Sequence, residues 1–206
     1  MGSSLPDLTY EEFSRRLRAC AVEALTERVC GALWAHYRTL RAWNPRLSLV
    51  GPGTAGSVVE RHYGEALAAL PLLDGADSLL DVGSGAGFPG FVLAAARPEL
   101  AVTLVEARQK KWAFLLAAAR RAQLSCRCLN VRVGAAFESE PVAAVSWRAV
   151  DLPEATRVRL ASLAGRLLIW CGAKEPSLPA GWCKHRTVDL AGSEQRRIVE
   201  WLPVDR

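Results

Sequence analysis

The chain has only three histidines in 206 residues, and none of its six cysteines stands at C-x-x-C spacing from another. That leaves no ligand set of the kind a zinc or iron–sulfur site needs, and no metal is expected. Cys20, Cys30, Cys126, Cys128, Cys171 and Cys183 read as thiols of a reducing compartment, with Cys126 and Cys128 sharing one face of a strand. No run of eighteen apolar residues occurs, and no basic stretch followed by an apolar one opens the chain. The expectation is a soluble, cytoplasmic, monomeric protein that does not bind membranes. Repeats and low-complexity segments are also absent. No conspicuous acid–base pair is present.

Hydrophobic residues make up 50% of the chain, enough for one substantial core, and length favours one domain with an appendage. The net charge is +5, carried mainly by arginine. Arginine's planar fork suits phosphate, so the charge leaves a nucleic-acid partner open without requiring one.

The most informative stretch lies between residues 78 and 106. Ser78 to Val82 is a short apolar run of strand length, followed by glycines at 83, 85 and 87 and a helical stretch from Pro89 to Arg97. Ala101 to Glu106 is a second strand. The glycines let the chain turn sharply and bring bare backbone N–H groups close to a ligand. Glu106, at the end of its strand, can accept hydrogen bonds from two ribose hydroxyls. Together these mark a nucleoside site, the alternative being a tight turn that holds no ligand. Phe88 stands where a dinucleotide fingerprint needs its third glycine, which argues against a nicotinamide dehydrogenase.

Upstream, Thr9 to Glu12 forms a capping box at a helix start, and residues 1–6 are a loose lead-in. The helical period continues with a break expected near Gly31 and an end at Asn44-Pro45. A loop over 45–56 precedes a second capping box, Ser57 to Glu60, whose helix should run to Pro71. Residues 1–75 are therefore expected to form a helical cap and 76–206 a sheet domain. Arg15, Arg16, Arg18, Arg28, Arg38, Arg41 and Arg46 give the cap either a solvated face or a shoulder for RNA backbone. Downstream, a helix over 108–122, strands at 126–131, 142–146 and 166–171, a short helix after Pro153 and a terminal pair at 184–190 and 196–202 alternate. They predict an α/β, doubly wound, mostly parallel seven-stranded sheet with an N-terminal helical cap. Its carboxyl edge presents Gly83, Glu106, Arg132 to Gly134 and Arg148, where ligands of such sheets sit.

From Trp43 to Gly172 the chain resembles the ribosomal small-subunit methyltransferase G family, also called GidB-like. The likeness rests on Trp43-Asn44, Arg61-His62, Leu80-Asp-Val-Gly-Ser-Gly-Ala-Gly-Phe-Pro-Gly90, Arg97-Pro98-Glu99, Leu104-Val-Glu106, Lys110-Lys-Trp-Ala-Phe-Leu115, Val131-Arg-Val133, Arg148-Ala149 and Ala173-Lys174. The Gly-Phe-Pro-Gly tail is its most specific piece. The resemblance implies a class I, Rossmann-like fold and methyl transfer from S-adenosylmethionine to guanine N7 of small-subunit ribosomal RNA, free or in the subunit. It matches Gly83, Phe88, Val133, Gly134 and Arg148 to the family's cofactor contacts, beside Gly85, Gly87 and Glu106 of the glycine turn and strand end; Arg148, with Arg132 as a second candidate, is expected to serve the reaction. The competing role for these arginines is an ion pair with Asp81, Glu106 or Asp151. Lys110 and Lys111 sit against the helix dipole, which favours a phosphate contact. His62, Trp112 and Trp147 are open between packing and base contact. The chain departs from the family at Tyr63-Gly-Glu65, Ser48-Leu-Val50, Gly134-Ala135 and Trp147. Two alternatives remain: a methyltransferase of the same fold acting on another RNA or a small molecule, and an RNA-binding relative without catalysis.

Overall fold

The structure is a computed structural model that describes residues 4–204. The first three residues of the expected loose start lie outside the described residues.

The chain begins with α1 (Tyr10–Cys20), where Thr9 accepts from the Glu12 N–H at 3.2 Å, and α2 (Glu27–Leu47). The break lies at residues 21–26, not at Gly31, which is inside α2. Thr26 decides this, because its side chain caps the Val29 N–H and restarts the helix. Nor does the helix end at Asn44-Pro45. It carries Pro45 through its last turn and stops at Ser48, which is left-handed at φ 48°. Asn44 holds the exit, its buried amide accepting from Val50 N–H at 2.7 Å.

Within the expected 45–56 loop, α3 (Pro52–Ala55) forms a single turn. The second capping box does not form, because Ser57 makes no side-chain cap and Glu60 is turned to Arg16 at 2.7 Å instead. A π-helix (Val59–Gly64) runs into α4 (Glu65–Leu67), and the segment ends in a 3-10 turn (Leu70–Leu73) rather than one regular helix to Pro71.

The sheet comprises β1 (Ser78–Val82), β2 (Ala101–Val105), β3 (Arg127–Leu129), β4 (Val142–Arg148), β5 (Ala164–Cys171), β6 (Trp182–Asp189) and β7 (Arg197–Pro203). Between these strands lie α5 (Gly90–Ala96), α6 (Gln109–Ala122) and α7 (Glu154–Leu163). The strand order is β3-β2-β1-β4-β5-β7-β6. The first five strands are parallel and the β6–β7 hairpin is antiparallel, with β7 inserted beside β5. This is the doubly wound, seven-stranded α/β fold the alternation predicts.

Alternation along β1 divides the core. Leu79 joins the cluster beneath α1, α2, α5 and α6, and Leu80 joins the smaller one beneath α7. The cap is thus built on one face of the sheet. It touches the glycine turn directly, since the buried His36 of α2 donates from Nε2 to the Ala86 carbonyl at 2.9 Å. Nδ1 must then accept from the Tyr63 hydroxyl at 2.6 Å.

Candidate active site

The strand order reverses between β1 and β4, and a cavity of about 740 Å³ opens there at the carboxyl edge. The turn after β1 forms one wall. Gly83 and Gly85 have φ of 71° and 55°, and a Cβ at Gly83 would lie 2.5 Å from Val150 Cγ2. A side chain there would strike the opposite wall, so this close approach requires glycine. Glu106 stands just past β2. Its Oε2 accepts from Gly85 N–H at 2.9 Å and its Oε1 from Arg108 N–H at 2.7 Å. Each oxygen keeps a lone pair for a further donor, and Glu106 lines the cavity.

Asp81 does not line this cavity. Buried under the turn, it accepts from Ser146 Oγ at 2.7 Å and Gly90 N–H at 3.2 Å, and burial pushes its pKa up to about 6. Gly90 has a packing reason. A Cβ there would sit 2.5 Å from Leu104 Cδ2 and 2.6 Å from Asp81 Cβ, so only glycine lets α5 settle on β1 and β2. The Phe88–Pro89 peptide is cis.

Gly83, Gly85, Phe88, Glu106, Arg132, Val133, Gly134 and Arg148 all line the same cavity. Gly87 does not. It faces the cap, where a Cβ would lie 2.9 Å from Phe91 Cβ and 3.1 Å from His36 Nε2, so its place in the turn is explained by packing.

Arg132 is exposed at the rim and makes no ion pair among the described residues. Arg148 is held differently from expectation. Asp81, Glu106 and Asp151 are not its ion-pair partners. Its Nη2 bonds Glu65 at 2.7 Å and the Arg61 carbonyl at 2.8 Å. Glu65, 4% exposed, also takes Arg196 at 2.9 Å and Arg61 at 3.2 Å, so one carboxylate organises three guanidiniums. Of its three partners only Arg61, four residues away, stands at a spacing the sequence shows; Arg148 and Arg196 lie 83 and 131 residues away.

His62 lines the cavity, stacked on Phe88 with centroids 4.9 Å apart and its Nε2 3.0 Å from Thr54 Oγ1. Burial, aided by Arg148 and Arg61, depresses its pKa to about 3, so at neutral pH the ring carries no charge. Lys111 lines the cavity and Lys110 does not. Trp112 points elsewhere, donating to the Cys128 carbonyl at 3.1 Å. Leu49, from the Ser48-Leu-Val50 segment where the chain departs from the family, also lines the wall, as does Val150, which sequence reasoning did not single out.

The arrangement fits an adenosyl ligand: a bare-backbone turn, a carboxylate with spare lone pairs facing the cavity, and apolar walls from Phe88 and Val133. Nothing in it supplies an exposed nucleophile with a base beside it.

Comparison with known proteins bears on the fold and the family. The family model described as rRNA small subunit methyltransferase G matches residues 30–173. A ribosomal RNA small subunit methyltransferase G of Desulfotalea psychrophila is 33% identical over 209 residues, covering 94% of this chain and 91% of that relative. One from Anaeromyxobacter dehalogenans is 38% identical over 191 residues, covering 89% and 84%. Another, from Syntrophobacter fumaroxidans, is 36% identical over 157 residues; that match takes in 76% of this chain but only 31% of the longer relative. Among solved structures, the mitomycin 7-O-methyltransferase MmcR superposes with a TM-score of 0.58 at 18% identity, covering 97% of this chain and 74% of that one. A putative methyltransferase, yhhF of Escherichia coli, gives 0.55 at 18%, covering 68% and 87%. At those identities the likeness establishes the class I methyltransferase fold alone. The family match, which spans more than half of the chain, establishes more: the chain belongs to the rRNA small subunit methyltransferase G family.

Proposed function

We propose that the protein transfers the methyl group of S-adenosylmethionine to N7 of a guanine in small-subunit ribosomal RNA, in the cytoplasm. The observation that carries the reading is the cavity at the β1/β4 switch, with the glycine turn and the Glu106 carboxylate on its wall. When bound, the cofactor supplies an activated methyl on a sulfonium. Glu106 would accept the ribose hydroxyls, while Gly83 to Gly85 let the ligand approach the backbone, and Phe88, Val133 and Gly134 exclude water around it. Guanine N7 already carries a lone pair, so the protein has no proton to remove before attack. Its work is alignment and the exclusion of water. Arg148, clamped by Glu65, and Arg132 at the rim would hold the target and its phosphates. The helical cap would contribute Leu49 and His62 to the cavity wall, and the sheet domain after residue 75 would hold the cofactor.

The test is transfer of labelled methyl from S-adenosylmethionine to small-subunit RNA and intact subunits taken from cells lacking this protein. The product is identified by mass spectrometry. Label recovered as 7-methylguanosine is the expected result. No label, from a preparation that binds the cofactor, would overturn the RNA assignment.

A further inference from the structure

The glycine turn that walls the cofactor cavity has little of its own to hold its shape. Gly85 and Gly87 lie at φ 55° and 88°, and glycine loses more backbone freedom on ordering than any other residue. The sheet ties down the first half of the turn. The Gly83 and Ser84 N–H groups donate to the Val105 carbonyl at 2.8 and 3.0 Å, and Gly85 N–H donates to Glu106 at 2.9 Å. The second half is held by the helical cap. Ala86, which lines the cavity, shares one peptide unit with Gly87. Its carbonyl accepts from His36 Nε2 at 2.9 Å, while the Gly87 N–H donates to the Ser84 carbonyl at 2.6 Å. A planar peptide gripped at both ends cannot turn over. Released at the carbonyl it could, because Gly87 admits either sign of φ.

His36 stands in a setting that favours an apolar side chain. It is fully buried among Phe88, Phe91 and Phe114, with the Phe91 ring centroid 4.3 Å away, and burial keeps the imidazole neutral. Desolvating two ring nitrogens there costs free energy that a hydrocarbon would not, unless both are hydrogen-bonded. Both are. The Tyr63 hydroxyl, 2.6 Å from Nδ1, donates to it and so fixes the tautomer that carries its proton on Nε2, facing Ala86. The imidazole itself does not line the cavity.

We propose that His36 is a positioning residue for the cofactor: its Nε2–H locks the Ala86–Gly87 peptide in the orientation in which the turn receives the ligand. The inference rests on the cofactor reading above and adds to it a residue of the cap that lies behind the cavity wall. With the lock in place the turn is ordered before the ligand arrives. Without it, binding must supply that order and is weakened by the same amount.

Two substitutions separate the hydrogen bond from the packing. The side-chain nitrogen of glutamine reaches the place of Nε2, whereas that of asparagine reaches only the place of Nδ1. His36→Gln therefore keeps a donor for the Ala86 carbonyl and His36→Asn loses it. The test is calorimetric titration of the folded proteins with S-adenosylhomocysteine at neutral pH, with thermal midpoints taken on the same preparations. Thr26→Ala, which weakens the start of α2 away from the cavity, is the control for stability alone. His36→Gln is expected to bind as the wild type does, His36→Asn roughly tenfold more weakly, and Thr26→Ala as the wild type despite its lower midpoint. Wild-type affinity in His36→Asn, an equal loss in both His36 variants, or affinity that follows the midpoint across all four proteins overturns the positioning role and leaves the cofactor reading standing. A wild-type protein that does not bind S-adenosylhomocysteine overturns the cofactor reading, and the proposal with it.

Discussion

His36 shows how much one buried side chain sets. Its ring is fully buried, and desolvation lowers its pKa from 6.5 to about 4. The unfolded chain therefore binds a proton more readily than the folded one between those values. This stability is present above about pH 6.5 and is lost as pH falls towards 4, in total about 3 kcal/mol. Asp81 acts in the opposite sense. Its folded pKa of about 6 lies above the ordinary 3.8, so its contribution is present below 3.8 and lost as pH rises through 6. The two slopes partly cancel, so the His36 share is read as a difference. Urea unfolding of His36→Gln between pH 7 and 4 is expected to lack that part of the acid loss; a profile parallel to the wild type's would disprove it. At Gly90, a single methyl meets Leu104 and Asp81. Gly90→Ala is expected to lower stability by about 1–3 kcal/mol, read from the thermal midpoint. Arg148→Ala would impair more than methyl transfer. It removes the shortest of three contacts to a buried Glu65, and a loss of about 1–3 kcal/mol is expected in denaturant unfolding.

At the scale of elements, local signals succeeded where local chemistry decided. The strand at 78–82, the cap at Thr9 and the helix after Pro153 follow from apolar runs, hydroxyl caps and proline's fixed φ, which act within a few residues. They failed where a distant partner won. Glu60 belongs by spacing to a capping box, yet Arg16, 44 residues away, takes it and the segment winds as a π-helix. Gly31 looks like the break in the cap, but the Thr26 hydroxyl restarts the helix first. Thr26→Ala is expected to cost about 1 kcal/mol, detectable as a lowered urea midpoint at unchanged slope.

On the whole molecule, charge is distributed unevenly between pairs and free cations. Arg97, Arg166 and Arg186 are tied to acids, whereas Arg108, Lys111 and Arg132 line the cavity without an ion pair among the described residues. Free cations at a rim release counterions when phosphate binds. Affinity for small-subunit RNA is therefore expected to fall linearly on a log–log plot against salt. Arg132→Ala should reduce that slope by about 1 and weaken binding to all RNAs alike. An unchanged slope would remove Arg132 from the RNA path.

The order of strands and helices, the glycine turn, the acid after β2 and the likeness that joins them could be read from the chain alone. Period, capping and turn chemistry are properties of neighbours in sequence. What holds Arg148 and why Gly87 is glycine were decided only by the tertiary structure. Each depends on groups brought together from different elements, Glu65 with Arg148 and Arg196, and Gly87 with His36. Contacts of that kind leave no periodic trace in the sequence, because their energy comes from burial and charge pairing after the chain has closed on itself.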